Sequence, residues 1–144
     1  MLVSQILKSK ADAGVVTSLP SMLVSEAAAE LSEKRIGTLV ISADGKVPAG
    51  ILSERDIVRE LGRQGAACLT QTVDKLMTSK LVTCSLEDRA DAVLQKMTEG
   101  RFRHMPVLQG GALVGLISLG DVVKARLQEL AMEKNALEGM IMGH

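Results

Sequence analysis

Apolar residues three and four apart mark two helices with one buried face each. Val24, Ala27, Ala28 and Leu31 form the first face, and Ala90, Val93, Leu94 and Met97 form the second. Each helical stretch is preceded by a short apolar run, Val15-Val16-Thr17 or Leu81-Val82-Thr83, read as a strand. Each is followed by a second apolar run, Thr38-Leu39-Val40-Ile41 or Met105-Pro106-Val107-Leu108. A turn comes next, Asp44-Gly45 or Gly110-Gly111, and then a return strand, Gly50-Ile51-Leu52 or Leu113-Val114-Gly115-Leu116-Ile117. A second helix begins at Ser53 and again at Ser118; the first of these ends near Gly62.

The two halves are therefore copies. Val3-Ser4-Gln5-Ile6-Leu7-Lys8-Ser9-Lys10 aligns with Val73-Asp74-Lys75-Leu76-Met77-Thr78-Ser79-Lys80. Arg35-Ile36 aligns with Arg101-Phe102, and Gly50-Ile51-Leu52-Ser53 with Gly115-Leu116-Ile117-Ser118. The spacing between copies changes only at Ala11–Gly14 and at the turns around Gly45 and Gly110, where loops accept insertions. The pattern predicts a first repeat over residues 1–64, a linker over 65–72, a second repeat over 73–130 and a helical extension and tail over 131–144. One repeat of about 60 residues is marginal alone. Two can bury each other's sheets as a pseudo-twofold pair, with a cleft between equivalent strands. The last helix is expected from Asp121 to about Met140, with Val123, Leu127, Leu130, Leu137 and Ile141 at helical spacing, a face suited to dimer packing. The end, Met140-Ile141-Met142-Gly143-His144, is expected to fray.

Composition narrows the partners. The 144 residues carry 17 basic and 17 acidic side chains, so no basic excess is available to neutralise a duplex. With no Trp, no Tyr and one Phe, Phe102, the chain has no stacking platform for single-stranded bases. Nucleic acid is excluded as the expected partner. No apolar run approaches the ~20 residues that span a bilayer, and Met1-Leu2-Val3-Ser4-Gln5 does not read as a signal peptide. A cytoplasmic location without membrane attachment is the expectation. Cys68 and Cys84 lie far apart, in no metal-ligand spacing, and read as reduced thiols.

Three groups could carry function. The first is a repeated G-h-h-S-x-x-D (h apolar), Gly50 to Asp56 and Gly115 to Asp121. Ser with an acid three residues on is a helix N-cap. The same strand-to-helix junction aims free N–H groups and a carboxylate at the cleft, where Asp could take the two hydroxyls of a ribose. The second is Arg101-Phe102-Arg103-His104-Met105-Pro106-Val107, whose arginines suit phosphate and whose His104 adds charge when protonated. The first copy has Arg35-Ile36-Gly37-Thr38 there, so phosphate contacts are expected on the second. The third is the matched pair Thr17 and Thr83.

This order of motifs, twice over from Val3 to Glu129, resembles a tandem pair of cystathionine-β-synthase (CBS) domains. The resemblance implies an α/β (α+β) fold of two β-α-β-β-α repeats. It also implies a regulatory adenosyl ligand: AMP, ADP, ATP, NAD(H) or S-adenosylmethionine. On that pattern Asp56 and Asp121 hold ribose, with Ser53 and Ser118 near phosphate or ribose. Thr17 and Thr83, with Val16 and Val82, line adenine. Ile36 and Met105 give apolar contacts, and Arg103 and His104 meet phosphate. Gly37 and Pro106 complete the ligand-binding set. A homodimer acting on a separate, unidentified partner protein is implied as well. No catalytic residue or metal site is expected: His104 is the one internal histidine, neither cysteine has a base near it in sequence, and there is no P-loop lysine. The alternative is a ligand-free dimeric scaffold in which S-x-x-D only caps helices.

Overall fold

A computed structural model describes residues 1–10 and 14–141. The order is α1 (Val3–Ser9), β1 (Thr17–Ser18), α2 (Val24–Lys34), β2 (Thr38–Ile41), β3 (Gly50–Ser53), α3 (Glu54–Gln64), α4 (Ala90–Gly100), β4 (His104–Gln109), β5 (Ala112–Ser118) and α5 (Leu119–Ile141). Short 3-10 helices at Gly65–Thr70 and Val73–Lys75 join the halves. The predicted frayed tail and the insertion point at Ala11 fall partly outside the described residues.

In the first repeat β1 runs parallel to β2, and β3 returns antiparallel with Leu39 opposite Leu52. In the second, β4 and β5 form the equivalent hairpin, with Met105 opposite Ile117. The strand expected at Leu81–Thr83 does not form; only Cys84 bridges, to Val107. Pro106 stands where the first repeat has Val40, and it has no amide hydrogen to extend the ladder. In the first repeat the strand also starts late, at Thr17 instead of Val15.

The helices end alike. The amide of Ile36 bonds the carbonyl of Leu31 at 3.1 Å, and that of Phe102 bonds Met97 at 3.2 Å. These six-residue closures force Arg35 (φ 54°) and Arg101 (φ 57°) into the left-handed region that usually takes glycine.

The two cores exchange their leading segments. Val3 and Ile6 of α1 are buried among Val93, Met97, Met105 and Ile117 of the second repeat. Val73 and Leu76 are buried among Val24, Leu39 and Leu52 of the first. Backbone bonds repeat the exchange: the Val3 amide donates to Asp88 at 2.8 Å, and the Val73 amide to Met22 at 2.8 Å. Burying such a side chain contributes about 1.5–3 kcal/mol, so each half withdraws part of its core if the other is removed. Gly115 lies under Leu7 and Gly50 under Met77, where a Cβ would approach to 2.7 and 2.5 Å respectively. Absence of a side chain at the two glycines is what lets the exchanged segments seat.

Candidate functional site: a cleft across the pseudo-twofold axis

The exchange brings the end of α1 beside β5 and opens a cleft of about 650 Å³ between the repeats, within the size range of small-molecule sites. One wall is Val114, Gly115 and Leu116 of β5 with Leu7 of α1. The opposite wall is the chain entering β1, Gly14 to Val16, and the turn from α2 into β2, Ile36 to Thr38. His104, Ser118, Lys10 and Lys34 complete the lining. The lining mixes an apolar surface for a flat ring with cations and hydroxyls.

Ser118 and Asp121 form a reciprocal cap at the start of α5. The Ser118 amide donates to Asp121 Oδ2 at 2.9 Å, and the Asp121 amide to Ser118 Oγ at 3.1 Å. Lys10 Nζ also donates to Oδ2, at 2.9 Å, and to the Leu116 carbonyl at 2.9 Å. Burial pushes the Asp121 carboxyl up, but the Ser118 amide, the Lys10 ammonium and the Ser118 hydroxyl outweigh it, and its pKa lies below the ordinary value. Its Oδ1 has no hydrogen-bond partner among the described residues.

The matching motif in the first repeat is differently committed. Asp56 accepts from the Ser53 amide at 2.9 Å and the Ser53 hydroxyl at 3.0 Å through Oδ2. Its Oδ1 is taken by the Arg59 guanidinium at 3.1 Å. Asp56 is only 7% exposed. Both motifs thus cap helices, and of the two only Asp121 keeps an oxygen without a partner among the described residues.

His104 reaches across the repeat boundary, its Nδ1 3.0 Å from Thr38 Oγ1. Burial lowers its pKa, with Lys10 and Arg103 adding to the effect and Asp121 and Glu54 opposing it. Protonation of the imidazole is therefore disfavoured relative to a free one. The charge that His104 adds when protonated is thus disfavoured in the folded chain: a ring withdrawn from water and next to Lys10 does not hold a proton well.

Of the sequence-predicted residues, Val16, Ile36, Gly37, His104 and Ser118 meet in this cleft, with Asp121 reaching it through Lys10. Thr17 does not line it. Met105 and Pro106 are buried in β4 and present nothing to it. Arg103 is exposed and its carbonyl caps the Leu119 amide at 2.8 Å. Ser53, Asp56, Val82 and Thr83 do not line it either, and Val82 is 44% exposed. Lys10, Lys34 and Thr38 were not anticipated. The clue to Lys10 was its place at the end of a repeated segment, but nothing in the sequence said that this segment crosses over.

The CBS domain model matches residues 3–63 and 73–128. The chain belongs to the CBS-domain family. The CBS-domain containing protein ATU1752 from Agrobacterium tumefaciens superposes with a TM-score of 0.83 at 45% identity, covering 88% of this chain and 99% of that one. The mitochondrial CBS domain-containing protein CBSX3 of Arabidopsis thaliana is 32% identical over 148 residues, 98% of this chain and 72% of its own. The CBS domain pair of protein MJ0100, solved in complex with 5′-methylthioadenosine and S-adenosyl-L-methionine, superposes with a TM-score of 0.76 at 25% identity, covering 90% of this chain and 98% of that one. The two matched segments are the two CBS repeats, each core takes its leading segment from the other repeat, and the cleft is the space between them. No helix among the described residues is long and apolar enough to cross a membrane. Among those residues no three His, Cys, Asp or Glu side chains gather as metal ligands would.

Proposed function

We propose that this CBS pair is a regulatory module that binds an adenosyl ligand in the cleft beside Asp121 and acts on a separate partner protein. The observation that carries the reading is the Asp121 carboxylate. One oxygen is anchored in the helix cap, and the other is uncommitted, beside Ser118 and Lys10, which line a cleft sized for a nucleoside. A carboxylate so placed accepts from the two vicinal hydroxyls of a ribose. Val16, Ile36 and Leu116 offer apolar faces for the base, and Lys10 and Lys34 offer ammonium groups for phosphate. Binding of methylthioadenosine and S-adenosylmethionine by the MJ0100 pair supports the ligand class. AMP, ADP, ATP and NAD(H) remain the ligands to compare with it.

The histidine of the cleft and the two buried cysteines suit binding more than bond-breaking. The His104 imidazole is tied to a threonine hydroxyl. Cys68 is fully buried, and burial, followed by the charge of Asp88, pushes the Cys84 thiol up to about 11. Regulation would work by linkage. A ligand touching both repeats favours one arrangement of them, and it shifts a partner only by its difference in affinity for the two arrangements.

A thermal-shift panel of AMP, ADP, ATP, NAD, NADH and S-adenosylmethionine, with GMP as base control, tests the reading. Ligand at 100 times its Kd adds ~2.7 kcal/mol to native stability, a rise on the order of 5–15 °C in Tm. No shift with any adenosyl compound, in folded protein freed of nucleotide, overturns it.

One observation favours the scaffold reading instead. Both S-x-x-D motifs do cap helices, and α5 leaves Leu127 at 63%, Leu137 at 59% and Ile141 at 84% exposure. A homodimer burying this face, with a Tm indifferent to the panel, is the result that would favour it.

A further inference from the structure

Lys10 presents a problem for any ligand that comes to Asp121. Its ammonium lies 2.9 Å from Oδ2 and 2.9 Å from the Leu116 carbonyl, and its side chain is only 27% exposed. It therefore lies against the carboxylate where a sugar would dock, and its charge is partly withdrawn from water. A neutral nucleoside that bonds Asp121 competes with this ammonium and gives it nothing in exchange. A ligand with an anionic group offers Lys10 a second partner. The other ammonium lining the cleft, Lys34, is held by Glu30 at 2.8 Å and is 47% exposed. His104 is bonded to Thr38. Among the described residues of the lining, Lys10 is thus the cation whose present partner is the carboxylate the ligand would use.

We infer that Lys10 is the charge-selecting residue of the cleft: it guards Asp121 and makes the site discriminate for anionic adenosine nucleotides over neutral adenosine. The inference rests on the adenosyl reading above. In the bound state one sugar hydroxyl takes the free Oδ1 and the other takes Oδ2 as the ammonium leaves it for the phosphate, so Lys10 keeps an anionic partner. Without an anion, the same exchange leaves a half-buried ammonium short of its counter-ion, which is costly. The residue comes from the first repeat and the carboxylate from the second. Ligand charge is therefore read at a contact between the two repeats, held there by the exchange of α1.

The test compares Kd for adenosine and AMP by calorimetry in the full chain and in Lys10→Met, which keeps the apolar stem and removes the charge. The wild type should prefer AMP. In K10M the AMP-to-adenosine preference should fall by about tenfold or more, the size expected for a charged hydrogen-bond partner. Part of the fall should come from tighter adenosine binding. Lys10→Arg should keep the preference, and it serves as the charge comparison if K10M folds poorly, with Lys10→Gln as the neutral replacement. An unchanged ratio in K10M or K10Q, with binding intact, overturns the role of Lys10 and leaves the adenosyl reading standing. Failure of the wild type to bind either compound overturns the role of Lys10, and the thermal-shift panel then decides the adenosyl reading separately.

Discussion

Thr38 and His104 occupy equivalent positions in the two repeats and are hydrogen-bonded to each other, Oγ1 to Nδ1, at 3.0 Å. Two equivalent side chains can touch only beside the pseudo-twofold axis, so this bond marks where the repeats meet. Each side chain begins its hairpin, Thr38 opposite Ser53 and His104 opposite Ser118. The contact therefore ties both S-x-x-D junctions to one point. The axis is not symmetric in chemistry, since one copy gives a hydroxyl and the other an imidazole.

This bond predicts an acid-sensitive boundary. The folded state lowers the His104 pKa below its ordinary 6.5, mainly by burial. Below about pH 6.5 the unfolded chain then binds more protons than the folded one, so stability rises with pH there and is lost as pH falls. Urea unfolding at pH 5 and pH 7.5 should show lower stability at pH 5, and His104→Gln should shrink that difference. An equal difference in the variant would assign the acid loss to other groups.

The two aspartates should separate binding from stability. Asp56→Ala removes a buried acceptor of the Ser53 amide, the Ser53 hydroxyl and Arg59, which should cost about 1–3 kcal/mol. Asp121→Ala removes the acceptor of the Ser118 amide and the counter-ion of Lys10, and should likewise cost about 1–3 kcal/mol. Ligand binding should tell them apart, with D121A losing ribose-containing ligands and D56A keeping them. Denaturation and calorimetry on the two variants check both outcomes.

The repeats, hairpins and caps were legible because they rest on local rules. Apolar spacing at Val24 to Leu31 and Ala90 to Met97 gave α2 and α4, and each S-x-x-D did open a helix. The exchange of α1 was not legible. Val3 and Ile6 show an apolar face but do not say which of two similar cores receives it. Lys10 escaped notice for the same reason, being far in sequence from Asp121. The lost strand at Leu81–Thr83 was hidden in a single residue: Pro106, which reads as apolar yet cannot donate.

The left-handed caps predict a gain from glycine. Arg35 and Arg101 hold φ of 54° and 57°, which costs an L-residue about 1–2 kcal/mol. Glycine relieves this and loses about 0.5–1 kcal/mol through the freer unfolded chain. Arg35→Gly and Arg101→Gly should each be neutral or stabilising by up to ~1 kcal/mol, seen as an equal or higher Tm. A fall in Tm would mean that the guanidinium makes a compensating contact.

The exchanged cores make a sharper demand on the two glycines beneath them. A Cβ at Gly115 would meet Leu7 Cδ1 at 2.7 Å, the far end of a side chain that can rotate. A Cβ at Gly50 would meet Met77 Sδ at 2.5 Å and also the Thr78 carbonyl at 3.0 Å, which is backbone. That carbonyl accepts the Ile51 amide at 2.9 Å, and the Thr78 amide returns a bond to Ile51 at 2.9 Å. Moving it strains the bridge that seats the second repeat's leading segment on the first. Gly50→Val should therefore destabilise by more than Gly115→Val, with overpacking costing about 1–3 kcal/mol in the milder case. Hydrogen exchange should show where: G50V should loosen amides at Ile51 and Thr78, and G115V those of α1. Equal losses would indicate that Leu7 is as tightly held as the Thr78 backbone, and that the two exchanged segments are mechanically alike despite their different secondary structure.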